Sequence, residues 1–233
     1  MKSSSTGNKV NNMIEENIKT LFKKIPTENP FGEKVTLVAA TKTRTPDEIN
    51  CAIRAGITDI GENKVQEFRD KFELVEGGRR HFIGHLQTNK VKYLIGKTFL
   101  IHSVDRDELA QEIAVRSVRA NIVSDILIQI NIGCEESKGG YPLEDGLEIF
   151  KRLSREPGLK VKGFMAMLPA EGTSEYLGSL CDKMRSLFES ARALDPEIEH
   201  LSMGMSGDWE LCLARGANMI RLGTAIFGER NYT

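Results

Sequence analysis

Between Asn8 and Ile25 the apolar residues Val10, Met13, Ile14, Ile18, Leu21 and Phe22 recur three or four apart, the spacing of one helix face, and Pro26 stops the run. The polar, small residues 1–7 ahead of it read as a disordered tail, leaving residues 8–233 as one domain. The pattern then changes. VTLVAATK is rich in β-branched and small residues, and TPDEINCAIRAG follows as a helix with Thr45 as N-cap, Pro46 in its first turn and Gly56 beyond its end.

This alternation runs to the end of the chain. Strand-like segments fall near residues 35–42, 57–61, 81–86, 98–104, 125–132, 161–167, 200–205 and 218–222. Helical patterns such as NKVQEFRDKFELV, DRDELAQEIAVRSV and EYLGSLCDKMRSLFESARAL separate them, with one short connection, QTNKVKYLI. Strands alternating with helices imply a parallel sheet. Eight such units predict an α/β fold, a single (β/α)8 TIM-type barrel with an extra N-terminal helix, whose functional face is the C-terminal end of the strands. An open doubly wound sheet is the alternative, and no GxGxxG fingerprint follows the first strand to support it.

The chain has 233 residues, 40% of them hydrophobic, and a formal net charge of −1. A core of ordinary size is therefore expected, and the basic footprint of a nucleic-acid binder is not. The clusters Arg79–Arg80 and Lys90–Lys97 read as solvated faces. Cys51, Cys134, Cys181 and Cys212 are scattered, without zinc-like spacing or a disulfide framework. The opening MKSSSTGNKV lacks the apolar stretch of a secretory leader, and no run is long enough to cross a membrane. The expectation is a soluble cytoplasmic protein.

The strand ends carry the chemistry. Lys42 shares a face with Val38 and Ala40 on the first strand. A lysine partly desolvated in a barrel mouth has a lowered pKa and suits Schiff-base formation, whereas a solvated lysine merely closes a strand. LSMGMSGDWE and IRLGTAIFGE each break an apolar run at glycine and a small hydroxyl residue and then resume as helix. Ser206 is expected to cap a helix running through Trp209 to Gly216, and Gly223-Thr224 repeats the device. Helix starts after strands seven and eight of a barrel suit a phosphate. With Arg221 entering the same space, the set fits pyridoxal 5′-phosphate (PLP): a phosphate, a carbonyl for a lysine and a ring nitrogen for an arginine.

From Asn8 onward the chain resembles the pyridoxal-phosphate homeostasis protein family, whose barrel is shared with the N-terminal domain of alanine racemase. The resemblance is carried by VAATKTRTPDEI, DIGENKVQEF, HFIGHLQTNK, GFMAM, HLSMGMSGDWE and MIRLGTAIFGER. It implies a fold-type III PLP-binding barrel, a Schiff base at Lys42, phosphate contacts near Ser206, Gly223 and Thr224, and Arg221 facing the pyridine nitrogen. Asn63, in the matching GEN motif, is expected to line the pocket, with Met165, His85 and His200 as weaker candidates. GCEESKGGY, within Gly133–Tyr141, is not among the matching segments. PLP and the apo-enzymes that use it are the expected partners, with no nucleic acid or membrane, and a monomer or weak homodimer is expected.

An arginine beside the pyridine nitrogen disfavours its protonation and weakens the ring as an electron sink, without excluding catalysis. Racemases of this fold type carry a second, β-rich domain, and a partner subunit supplies the opposing acid–base group. No such domain is legible here, and none of Tyr93, Tyr141, Tyr176 and Tyr232 can be placed opposite Lys42. The first expectation is a non-enzymatic carrier or regulator of PLP. A small amino-acid racemase is second, and a cofactor-free Schiff-base aldolase acting on a phosphorylated sugar is third.

Overall fold

The computed structural model describes residues 3–135 and 138–229. Eight parallel strands close into a barrel in chain order: β1 (Thr36–Ala40), β2 (Asp59–Glu62), β3 (Arg79–Phe82), β4 (Leu100–Val104), β5 (Ser124–Ile130), β6 (Leu159–Ala166), β7 (His200–Ser202) and β8 (Met219–Leu222). Closure is made by β1, which pairs with β2 through Val38 opposite Asp59 and with β8 through Val38 opposite Arg221. All eight strands overlap the segments the sequence pattern predicts, with their ends displaced by up to four residues.

The helices are α1 (Ser3–Lys24), α2 (Pro46–Arg54), α3 (Val65–Lys71), α4 (Asp107–Arg119), α5 (Gly146–Leu153), α6 (Ser174–Leu194), α7 (Trp209–Ala214) and α8 (Thr224–Phe227). QTNKVKYLI supplies only a short 3₁₀ turn, Thr88–Tyr93. Helix α1 begins at Ser3, so helix occupies part of the stretch whose composition suggests a tail; residues 1 and 2 lie outside the described residues. Small polar residues are tolerable helix formers once a downstream amphipathic segment has paid for nucleation.

Helix α2 starts as its sequence dictates. The Thr45 hydroxyl accepts from the Glu48 amide while the Glu48 carboxylate accepts from the Thr45 amide, a reciprocal cap of a kind worth about 1 kcal/mol. Two apolar clusters result from strand alternation. The large one lies between sheet and helices and includes Ile14, Ile18, Phe82, Ile101, Phe164 and Phe188. The small one fills the barrel interior with Val38, Ile83, Leu100, Leu127, Met165 and Met219.

Candidate functional site

At the C-terminal end of the strands an open cleft of about 650 Å³ is lined by Ala40, Lys42, Arg44, Asn63, Ile83, Met167, Met205, Ser206, Arg221, Gly223 and Thr224. All six sequence-predicted site residues therefore meet in one cavity.

Lys42 sits two residues past β1, half-buried in the turn that follows. That turn is braced from both sides. Thr41 is fully buried, and its hydroxyl lies 2.7 Å from a Glu62 oxygen. Thr43 takes a left-handed φ of 65°, uncommon for a β-branched residue, and its amide donates to Glu67 at 2.6 Å. Lys71 joins the two supports, donating to the Thr41 carbonyl at 2.9 Å and to Glu62 and Glu67 at 2.8 Å each. Burial pushes the Glu62 carboxyl up against the opposing pull of Lys71 and Thr41. For Glu67 the hydrogen bonds from Lys71 and the Thr43 amide outweigh burial and hold the pKa down.

Asn63 follows β2, and its side-chain oxygen is buried without a hydrogen-bond partner among the described residues. A buried orphan acceptor in a cleft lining is what a ligand donor would satisfy. Gly84 secures this arrangement: a Cβ there would lie 2.1 Å from the Asn63 carbonyl oxygen, so the approach of the two loops admits only glycine.

Arg221 is buried on β8. It donates from Nη1 to the Ser202 hydroxyl at 2.6 Å and carbonyl at 2.9 Å, and from Nη2 to the Ala166 carbonyl at 3.1 Å. Burial draws its pKa down to about 10, so it stays a cation at neutral pH. Arg44, which the sequence reading missed, is anchored at the rim. It donates to the Gly228 carbonyl at 2.6 Å and stacks over Phe227 with 5.4 Å to the ring centroid.

The two quoted turns face the same cleft, with one correction. Ser206 does not cap α7. Asp208 is the N-cap residue, its carboxylate accepting from the Met205 amide at 2.6 Å, while Ser206 is exposed two residues earlier. The helix begins at Trp209 without a side-chain cap, the Asp208 carboxylate instead tying down the preceding turn, and the Ser206 hydroxyl is left on the cleft wall. Gly204, with φ of 104°, brings the chain close to Trp209, where a Cβ would lie 2.9 Å from Cα. On the other side Gly223 is the N-cap of α8 and Thr224 its first residue. Among the described residues the backbone amides of Ser206, Gly207, Gly223 and Thr224 donate to no acceptor.

The weaker candidates separate. His85 is exposed beside Asp105, 3.2 Å away, and Met165 is barrel filling. His200 starts β7, where burial takes its pKa down to about 4. None of these lines the cleft, nor do the described residues of Gly133–Tyr141.

A parallel eight-stranded barrel with a lysine after β1 and an arginine on β8 gathers its candidate site at the C-terminal ends of the strands. A family model for the alanine racemase N-terminal domain matches residues 12–231. Alanine racemase of Clostridium difficile, at 12% identity, shares the fold with a TM-score of 0.75 over 94% of this chain and 59% of that one. The pyridoxal phosphate homeostasis protein of Aquifex aeolicus is 45% identical over 199 residues, 84% of this chain and 87% of that protein. Its counterpart in Escherichia coli K12 is 38% identical over 208 residues, 86% and 88% of the two chains. PipY of Synechococcus elongatus PCC7942, solved with PLP bound, is 28% identical with a TM-score of 0.79 over 92% of this chain and all of that one. The chain belongs to the pyridoxal phosphate homeostasis protein family.

Proposed function

We propose that this protein holds PLP in the cleft through Lys42, as an intracellular carrier or regulator of the cofactor, and does not turn over amino acids. The observation that carries the reading is the convergence of an amine, a buried guanidinium, an orphan amide oxygen, two hydroxyls and unengaged backbone amides on one cavity.

The donor set fits the group part by part. The amides and hydroxyls at Ser206, Gly207, Gly223 and Thr224 would hold the phosphate, acting as neutral donors to an anion. Arg221, with Nε–H and one Nη2–H beyond its bonds to Ser202 and Ala166, would face the ring nitrogen. Asn63 would accept from a ligand donor. Lys42, fixed by the braced turn, would bond the aldehyde carbon. When bound, the cofactor supplies that electrophilic carbon and a conjugated ring.

The lining also bears on catalysis. Racemisation needs a positioned proton donor and acceptor on opposite faces of the reacting carbon. Apart from Lys42, the described cleft residues include no His, Cys, Tyr, Asp or Glu. Tyr141 is engaged with Asp107 at 2.8 Å, and Tyr93 and Tyr176 lie outside the cleft; Tyr232 is not among the described residues. The names carried by the relatives support the same reading.

The test incubates PLP-loaded protein with alanine and serine in deuterated water and follows deuterium at the α-carbon together with chirality. Retention of configuration is expected, with PLP passing to an added apo-enzyme. Rapid interconversion of enantiomers, lost in Lys42→Ala, would replace the carrier by a racemase.

A further inference from the structure

Below the cleft the barrel interior contains an unbroken polar chain. The Arg221 guanidinium lies 2.6 Å from the Ser202 hydroxyl, which lies 3.2 Å from His102 Nδ1. His102 Nε2 is 2.9 Å from His81 Nδ1, and His81 Nε2 is 2.8 Å from Asp59 Oδ1. The other Asp59 oxygen accepts from Thr58 at 2.7 Å and Arg79 at 2.8 Å. His81, His102 and Ser202 are fully buried, and Asp59 is 1% exposed. At the far end Asp59 and Arg79 line a second cavity, at the N-terminal floor of the barrel.

With both rings neutral, the form that burial favours, the ends of this chain fix the direction of every bond within it. A guanidinium only donates and a carboxylate only accepts. Asp59 therefore takes the Nε2 proton of His81, leaving His81 Nδ1 as an acceptor. His102 must then donate from Nε2 and accept at Nδ1, where the Ser202 hydroxyl donates. The Ser202 oxygen in turn receives Arg221. Both neutral rings therefore carry their proton on Nε2. Their surroundings agree: burial favours the neutral ring in both, and His102 faces the cation Arg221 as well as His81 and His200. For Asp59, burial is outweighed by His81, Arg79 and Thr58, which hold its pKa at about 2.

We propose that Asp59, His81, His102 and Ser202 are positioning residues that form a one-way hydrogen-bonded relay from the barrel floor to Arg221. The relay fixes the guanidinium so that its remaining donors serve the cleft, and it keeps any second cation away from it. Only the identity of what Arg221 faces rests on the PLP reading. The relay itself does not.

The experiment reads histidine tautomers in the full chain without ligand, by long-range ¹H–¹⁵N correlation at pH 7.5 and 6.0. His85→Gln and His200→Gln variants assign the signals of the two remaining rings. The expected result is that His81 and His102 are both neutral Nε2–H forms at both pH values. Asp59→Asn should reverse them. Thr58 and Arg79 both donate to Oδ2, so the new amide must turn its oxygen to them and its NH₂ to His81. His81 and His102 then become Nδ1–H forms. A charged or mixed-tautomer ring in the native protein at pH 6.0 overturns the relay, as does a folded Asp59→Asn protein with unchanged tautomers. The native measurement decides the matter even where Asp59→Asn does not fold.

A second arm measures PLP affinity. Ser202→Ala should weaken it about tenfold and Ser202→Thr, which keeps the hydroxyl, should restore it to within about twofold. Equal losses in both variants would contradict a role through the hydroxyl. A chain that binds no PLP but shows the expected tautomers would sink the proposed function and leave the relay standing.

Discussion

The outer and inner faces of the barrel sheet come from the same strands but differ in kind. Outward, Ile60, Phe82, Ile101, Phe164, Leu201 and Leu222 join a continuous apolar layer under the helices. One residue away on the same strands, Asp59, His81, His102, Met165, Ser202 and Arg221 point inward, and most of these are polar and buried. The outer face needs only apolar character at the right period, because burial energy is non-directional. The inner face is narrow, so each polar group there must find a specific partner. Stability is therefore concentrated outside the barrel and ligand chemistry inside it.

The largest expected effect tests the outer side. Phe164 is fully buried between the sheet and α5, with the Phe150 ring 6.4 Å away. Phe164→Ala should cost about 3–5 kcal/mol in urea unfolding. The surviving folded protein should retain PLP as tightly as the native chain. A large loss of affinity in folded Phe164→Ala would show that the two faces are not separable.

The inner side is tested at the cleft wall. A hydrogen bond to a charged group is worth about 1.5–3 kcal/mol. Ser206→Ala combined with Thr224→Ala should weaken PLP retention about tenfold to a hundredfold in equilibrium dialysis. The unfolding midpoint should barely move, since both side chains are exposed. Equal affinity of the native protein for pyridoxal with and without its phosphate would contradict the cradle.

A further effect on stability is expected from acid. His200 has a folded pKa of about 4, lowered by burial and, among its neighbours, by His81, Lys162 and Arg79, with Glu199 opposing. A lowered folded pKa contributes stability that is present above the unfolded value of about 6.5 and is lost as pH falls toward 4. Stability should decline by up to about 1.4 kcal/mol per pH unit in that window, and His200→Gln should flatten the decline. An unchanged slope in His200→Gln would place the acid sensitivity elsewhere.

The same contrast explains what the sequence disclosed. The strands, the main helices and the Thr45 cap were legible because period and capping chemistry are local. Lys42, Arg221 and the two turns were legible because strand parity and the position of a strand end in a barrel are enough to bring them together. The Ser206 cap was misread, since α7 starts only at Trp209, and the turn over residues 205–208 ahead of it is closed by Asp208 accepting from the Met205 amide. The relay was missed although its parity signal was present: Asp59 shares a face with Asn63, and His81 with His85. What the sequence did not show was that His81, His102 and Ser202 meet across the barrel, because that depends on the register among β3, β4 and β7. Lys71 was hidden for a similar reason: its i,i+4 pair with Glu67 is local, but its bond to the Thr41 carbonyl reaches from α3 to the Lys42 turn.

The most direct test of the account is where the cofactor becomes attached. PLP-loaded protein would be reduced with borohydride, digested, and its peptides mapped by mass spectrometry alongside Lys42→Ala. The account predicts a single pyridoxyl label, on the peptide containing Lys42, and loss of that label and of the visible absorbance band in folded Lys42→Ala. A label of equal yield on another lysine of the native protein, or an undiminished band in the variant, would contradict it.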